Sequence, residues 1–375
     1  MAWITTENQK LNYQELNQKA LRADTYKNVR RIISARQMAQ VTRGDALYAD
    51  DHNLRVGTKI LARSMVGSPR WYHMQFLDAM AICREFHKPD YFITMTCNPH
   101  WPEITDHLLP DQTVQDRPDL VARVFKQKKD ALMNDLVQGG LLGKAVAHLS
   151  MVEFQKRGLP HVHILVIVAE DDRLTIGDQV DSVITAELPP DPAETDNEHE
   201  REQRQRLQDI VLTNMIHGPC GALNPRCPCM EDGKCTKKFP KEYRQHTLVD
   251  PANGFPTYMR RPPHDGGRRI HIVRSGVPFE VTNRNVVPYS AFMCLRYNCH
   301  INVEKSTSPR NAKYLYKYVT KGPDRAMVSA EVDGQPGPRD EIADYKDCRS
   351  VGSCEAAWHL LGYPIARRYP AVQVV

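Results

Sequence analysis

Residues 145–168 read AVAHLSMVEFQKRGLPHVHILVIV, and this stretch decides the fold class. Two runs rich in apolar and β-branched residues, 145–154 and 161–168, flank the short loop QKRGLP. That layout predicts two antiparallel strands joined as a hairpin. Strand alternation puts His161 and His163 on one face and Val162, Ile164 and Val166 on the other. Neutral imidazole is a common ligand for divalent metals, so two imidazoles side by side on a strand suit a metal site. Glu153, on the preceding strand, lies where the hairpin brings a carboxylate opposite the histidines. Gln155 is the alternative third ligand, because hairpin register is not readable from the residues. Two histidines and one oxygen ligand leave coordination positions open, as metal-assisted phosphate chemistry requires.

Outward from the hairpin, the chain alternates helical and extended patterns. Residues 69–87 carry an apolar stripe of Trp71, Met74, Leu77 and Ala81 and stop at Pro89, which predicts a helix. YFITMTC (91–97) reads as a strand followed by the turn NPHWP, and 119–138 as a helix entered through Pro118 and left at Gly139-Gly140. Short strands are expected at 270–274 and 299–304. Residues 1–60 are polar and mixed, with 26–41 readable as a basic helix. From 171 to 208 the chain turns acidic and Pro-rich, then runs ETDNEHEREQRQR, a composition that reads as a linker or surface insertion lacking fixed structure.

The best-signalled helix is 308–322: Ser308 as N-cap, Pro309 in the first turn, Gly322 just past the end and then Pro323. On it Tyr314 and Tyr318 stand four apart, which places both phenols on one face. Lys313, Lys317 and Lys321 repeat at the same interval as a cationic stripe suited to phosphates. A tyrosine nucleophile needs help because its pKa is near 10. A metal polarising the target phosphate and a neighbouring lysine such as Lys317 would supply that help.

The chain has 375 residues, 41% of them hydrophobic and 25% charged, which excludes wholesale disorder and allows two or three domains. No apolar run approaches the roughly 18 residues a membrane span needs, and the N-terminus lacks the layout of a signal peptide. A soluble, intracellular protein is expected. The net charge of +5 is unevenly placed: 226–274 holds 11 Lys/Arg against 5 Asp/Glu, and 305–325 holds 6 against 1. Two basic segments in an otherwise acidic chain suggest a polyanion-binding face. His217, Cys220, Cys227, Cys229 and Cys235 offer more than four N/S ligands in a segment with too little apolar sequence to order itself. A structural Zn²⁺ would order it, with the ligand set open among these five.

Taken in order, these stretches resemble a known family. GLPHVHILV is similar to the His-hydrophobic-His motif of the HUH endonuclease superfamily, and YLYKYVTK to its two-tyrosine helix. Closer still is the Rep-like N-terminal region of Helitron transposases, the Helitron helicase-like domain. Its characteristic stretches are matched by YFITMTCNPHWPEI, VEFQKRGLPHVHILV, HGPCGALNPRCPCMEDGKCTKKFPKEY, VVPYSAFMCLRYNCHINVE, KYLYKYVTKG and DEIADYKDCRSVGSCEAAWHL. The likeness is read from about residue 70 to the C-terminus. It implies that His161 and His163, with a third ligand placed at Glu153, hold Mg²⁺ or Mn²⁺ against a scissile phosphate. It also implies that Tyr314 or Tyr318 attacks single-stranded DNA to give a 5′-phosphotyrosine and a free 3′-OH, as in rolling-circle transposition.

The resulting expectation is an α+β, HUH-type nuclease: a central, mainly antiparallel sheet flanked by helices, with an inserted zinc-binding module. Its parts would be an N-terminal mixed region (1–68), a first core segment (69–170), the acidic insertion (171–208), the cysteine-rich basic module (209–275) and a second core segment (276–375). GGLLGKA lacks the glycine spacing and the Ser/Thr of an ATPase phosphate loop, so no helicase activity is expected and a helicase would come from elsewhere. Ending soon after the Rep-like region, the chain reads as a fragment, a decayed copy or a domesticated gene product. A DNA substrate implies the nucleus. One rival is a nucleic-acid-binding protein that keeps the fold without the chemistry. Another, a histidine-triad hydrolase, needs a third histidine where this chain has Leu165.

Overall fold

The computed structural model describes residues 2–21, 59–154, 158–250, 256–274, 276–306, 331–332, 335–336, 340–347 and 351–373. In chain order the first elements are α1 (Ala2–Leu16), α2 (Pro69–Phe86), β1 (Tyr91–Thr96), α3 (Pro102–Thr105), α4 (Pro118–Val137), β2 (Ala145–Phe154) and β3 (Pro160–Val168). Next come α5 (Gly177–Asp181), α6 (Glu198–Asn214), β4 (Met230–Glu231), β5 (Lys234–Cys235), β6 (Arg269–Arg274), β7 (Val277–Thr282) and α7 (Ala291–Tyr297). The last are β8 (Ile301–Lys305), β9 (Glu331–Val332), β10 (Gln335–Pro336), α8 (Glu341–Asp347), α9 (Ser353–Leu360) and β11 (Ala366–Tyr369). They form two units, a smaller one of residues 1–77 and 318–351 and a larger one of 78–317 and 352–375.

In the smaller unit, Leu11 of α1 packs with Leu61, Met65, Ile342 and Tyr345. The Tyr345 hydroxyl donates to Glu7 Oε1 at 3.0 Å, and Glu341 accepts from the Leu61 N–H at 2.9 Å and from Arg70. The N-terminal region, in which no motif was legible, thus contributes its own small core.

The larger unit is built on a five-stranded sheet in the order β11-β2-β3-β1-β8 with every neighbouring pair antiparallel. This is the α+β architecture with an antiparallel central sheet that the hairpin reading predicts. β3 is the middle strand and is buried along its whole length. Val162, Ile164, Val166 and Val168 face the main core, with Ile93 and Met95 of β1 and Val152 of β2. Helix α4 covers that face through Val121, Phe125, Leu132 and Leu136, whose four- and seven-residue spacings make one stripe. Trp358 of α9 packs beside it, with its ring 6.1 Å from Phe125. The opposite face is apolar only at one end, where Ile82 and Phe86 of α2 cover Ala147, Leu149 and Ile167. The other end of that face carries the histidines.

The acidic stretch after β3 departs from expectation. Residues 171–208 are folded: α5 lies within them, α6 begins at Glu198, and Val180, Ile184, Ala186 and Leu188 are buried in the main core. Four apolar side chains brought against an existing core outweigh an unfavourable average composition. The cysteine-rich segment follows, so a Cys/His module lies in the chain between β3 and β8, the two strands that flank β1 in the sheet.

Candidate functional site

Register fixes what the hairpin loop left open. Glu153 pairs with His161 across β2 and β3, while Thr96 and Thr94 of β1 pair with His161 and His163 from the other side. Directly paired residues share a face, so these five side chains form one polar field on the central strands. His163 Nε2 lies 3.0 Å from Glu153 Oε2, and its Nδ1 lies 3.0 Å from Thr94 Oγ1. Its ring stacks on Phe92, with centroids 5.7 Å apart and planes 7° apart. His161 Nδ1 lies 3.1 Å from the Pro160 carbonyl. Burial pushes the His161 pKa down to about 4, which keeps this imidazole neutral at physiological pH. Gln155, the alternative third ligand, lies outside the described residues.

The field continues onto β8 through residues that sequence reasoning missed. Asn302 pairs with Thr94, and its Nδ2 donates to Glu304 Oε1 at 3.1 Å. His300, just before β8, accepts the Thr96 N–H at its carbonyl at 2.9 Å and brings Nδ1 to 3.4 Å from Thr96 Oγ1. Burial holds the His300 pKa down at about 4. Alternation within YFITMT marks Thr94 and Thr96 as sharing a face, but no local signal says that β1 lies between β3 and β8.

A second cluster lies in the cysteine-rich segment. One ligand atom from each of His217, Cys220, Cys229 and Cys235 falls within 4.8 Å of all the others, the only such group of three or more metal-ligating side chains among the described residues. One histidine and three cysteines are the donor set of a structural zinc site, and the four residues could hold such a metal. Cys227, counted in the ligand set from the sequence, is outside the group, with its Sγ 3.5 Å from Cys229 Sγ. The strands β4 and β5 explain why. Asp232 (φ 48°) and Gly233 (φ 74°) make the left-handed two-residue turn that Asp-Gly favours, which returns Cys235 beside Met230, next to Cys229.

The surroundings of this cluster favour ligation. The His217 N–H donates to the Asn285 carbonyl at 2.8 Å, and the Phe239 ring stacks on the imidazole at 4.2 Å. Burial, then the charges of Lys241, Lys237 and Arg274, lower the His217 pKa and keep it neutral. Burial works against the Cys235 thiolate, but backbone N–H groups of Phe239 and Lys237 outweigh it and hold the thiol below its usual range. Cys220 and Cys229 are pushed up by burial, as expected of thiols gathered without a cation.

The two basic segments meet different outcomes. In the first, Lys234, Lys237 and Lys238 are exposed around the Cys/His cluster. The second carries Tyr314, Lys317 and Tyr318, and all three lie outside the described residues. No described helix is long and apolar enough to cross a membrane.

No curated protein matches the chain. The family model described as the Helitron helicase-like domain at N-terminus matches residues 1–166. Two of the quoted stretches, YFITMTCNPHWPEI and VEFQKRGLPHVHILV, fall within the match. It starts well ahead of residue 70, from which the likeness was read, while the cysteine-rich and tyrosine-bearing stretches lie beyond its end. Residues 1–166, from the first helix into the histidine strand, are therefore similar to the Helitron helicase-like domain.

Proposed function

We propose that the chain is an HUH-type nuclease that nicks and joins single-stranded DNA through a tyrosine, as in rolling-circle transposition. The observation that carries this reading is the register placing Glu153, His161 and His163 on one sheet face, with Glu153 Oε2 3.0 Å from His163 Nε2. Two imidazoles and a carboxylate are a donor set for Mg²⁺ or Mn²⁺, and these three residues would hold the ion. When bound, it supplies positive charge to the scissile phosphate. The chain's own part is the nucleophile. The phenol oxygen of Tyr314 or Tyr318 attacks phosphorus, the bond to the 3′-oxygen breaks, and the phenol's proton ends on that oxygen as the free 3′-OH. The 5′ end stays on the enzyme as phosphotyrosine until a second hydroxyl reverses the step. Lys317 favours the phenolate and neutralises phosphate charge.

The cysteine-rich module is read as a structural Zn²⁺ site held by His217, Cys220, Cys229 and Cys235, with Lys234, Lys237 and Lys238 tracking the DNA backbone. The helicase that separates the strands is supplied by another protein or segment, and the site of action is the nucleus.

Incubation of the full chain with a 3′-labelled single-stranded oligonucleotide and Mn²⁺ tests the reading. A covalent adduct should form, persist in one of Tyr314→Phe and Tyr318→Phe, and vanish in the double variant. His161→Ala with His163→Ala should slow its formation by at least about a hundredfold. Tight DNA binding with no adduct under any metal would establish the non-catalytic binder instead.

A further inference from the structure

The basic segment 226–274 divides into two parts that dispose of their charge differently. In the later part, Arg261, Arg268 and Arg269 each meet a carboxylate, from Glu187, Asp191 and Glu280. Arg260 and Arg274 donate to backbone carbonyls. In the earlier part, the run KCTKKFPKEYR (234–244) holds Lys234, Lys237, Lys238, Lys241 and Arg244 against Glu242 alone. Among the described residues none of these five cations forms an ion pair. The fold thus gathers like charges with no internal counter-charge, which favours an anionic partner.

Two aromatic rings stand in this run. Phe239 is occupied, stacked on the His217 imidazole at 4.2 Å with the Lys241 ammonium 4.8 Å from its centroid. Tyr243 is 37% exposed, and its ring meets the Arg284 guanidinium at 5.3 Å. Arg284 is held there from both ends: its Nε donates to the Lys241 carbonyl at 2.6 Å, and its own carbonyl accepts the Lys241 N–H at 2.9 Å. Phe292 is also exposed beside an arginine, but that arginine, Arg296, is paired with Asp135. Only around Tyr243 does an open ring coincide with unpaired cations. Every unpaired base has a π-face to lay on such a ring, with its phosphates beside the cations. Bases inside a duplex are stacked on one another and have no such face to offer.

The run also adjoins the histidine face. Burial raises the Glu304 pKa, while the Asn302 amide and the charges of Lys241, Arg260 and Lys237 oppose the rise, so these cations stand near β8. Glu304 pairs with Phe92, whose ring stacks on His163. We propose that Tyr243, held against Arg284, is a base-stacking platform that makes this surface grip single-stranded DNA in preference to duplex, with Lys241 and Arg244 on the flanking phosphates. The gripped strand continues over β8 toward His161 and His163. The inference rests on the single-stranded DNA reading above and deepens it; it concerns grip, not chemistry.

Fluorescence anisotropy with the full-length chain, prepared with zinc, tests it on one labelled oligonucleotide, single-stranded or annealed to its complement. Tyr243→Leu should weaken single-strand binding at least about fivefold, with duplex binding and the salt slope unchanged. Tyr243→Phe, which keeps the ring, should stay within about twofold of the parent. A merely structural role would lower both affinities together. Equal losses on single strand and duplex, or parent-like single-strand binding by Tyr243→Leu, would overturn the platform. Photo-crosslinking of the parent to an iodouracil-bearing strand needs no variant and should place a crosslink on Tyr243; crosslinks confined to other residues would overturn it as well. The nicking chemistry is read separately. A parent that forms no Mn²⁺-dependent adduct, yet loses single-strand affinity through Tyr243→Leu, would overturn the nuclease reading and leave the platform standing.

Discussion

Asp90 stands just before β1 with its carboxylate 2.9 Å from Lys305 Nζ on β8 and 3.0 Å from the backbone N–H of Val168 on β3. Its carbonyl also accepts from Ser306 at 2.7 Å, and the Lys305 ammonium lies over the Tyr91 ring. One buried residue thus ties together the three strands that carry the polar field. Removing one partner of a buried pair leaves an uncompensated charge, so Asp90→Ala should cost about 3–5 kcal/mol, read by urea unfolding. His300 gives a pH effect of definite sign. Its folded pKa of about 4 lies below the unfolded value near 6.5, so the unfolded chain binds more protons between those values. Stability should therefore fall as pH drops from about 6.5 to about 4, with up to about 3 kcal/mol from this residue. His300→Gln should flatten that part of the curve in pH-dependent melting.

At the scale of the element, the Cys/His module makes the sharpest prediction. Cys227→Ser should retain one zinc per chain by metal analysis, because its sulfur lies outside the four-atom group, whereas Cys229→Ser and Cys235→Ser should lose it. A chelator should also raise hydrogen exchange across 217–240, since the cluster and the Phe239 stack tie together what are otherwise short turns and the two-residue strands β4 and β5. The hairpin, the helices around it and the H-x-H face were legible in the sequence because each rests on local periodicity and local stop signals. Thr94, His300 and Asn302 were not, because their place depends on β1 sitting between β3 and β8, a pairing that periodicity does not encode. The ligand set stayed open among five residues for a related reason: which four gather depends on how a two-residue turn aims Cys235. The acidic stretch was misjudged because its average polarity hid Val180, Ile184, Ala186 and Leu188.

Over the whole molecule, the net charge of +5 conceals a strongly basic segment around the Cys/His cluster. Each lysine that neutralises a phosphate of single-stranded DNA releases about 0.7 counterion. Replacing Lys234, Lys237 and Lys238 with Gln should therefore reduce the slope of log affinity against log salt by about 2, measured by fluorescence anisotropy. Loss of affinity with an unchanged slope would place the DNA elsewhere.

The sheet order has a consequence of its own. Thr96 and His300 are hydrogen-bonded neighbours although 204 residues separate them, and everything from the hairpin to the cysteine cluster is strung along that interval. Closing so long a circuit must wait for distant partners to meet, so assembly of β8 should lag well behind the local β2–β3 ribbon. The same arithmetic makes the interval forgiving of length: doubling it would add only about 0.6 kcal/mol of closure entropy. Exposed turns along that interval can thus be lengthened or trimmed while the central strands keep their neighbours.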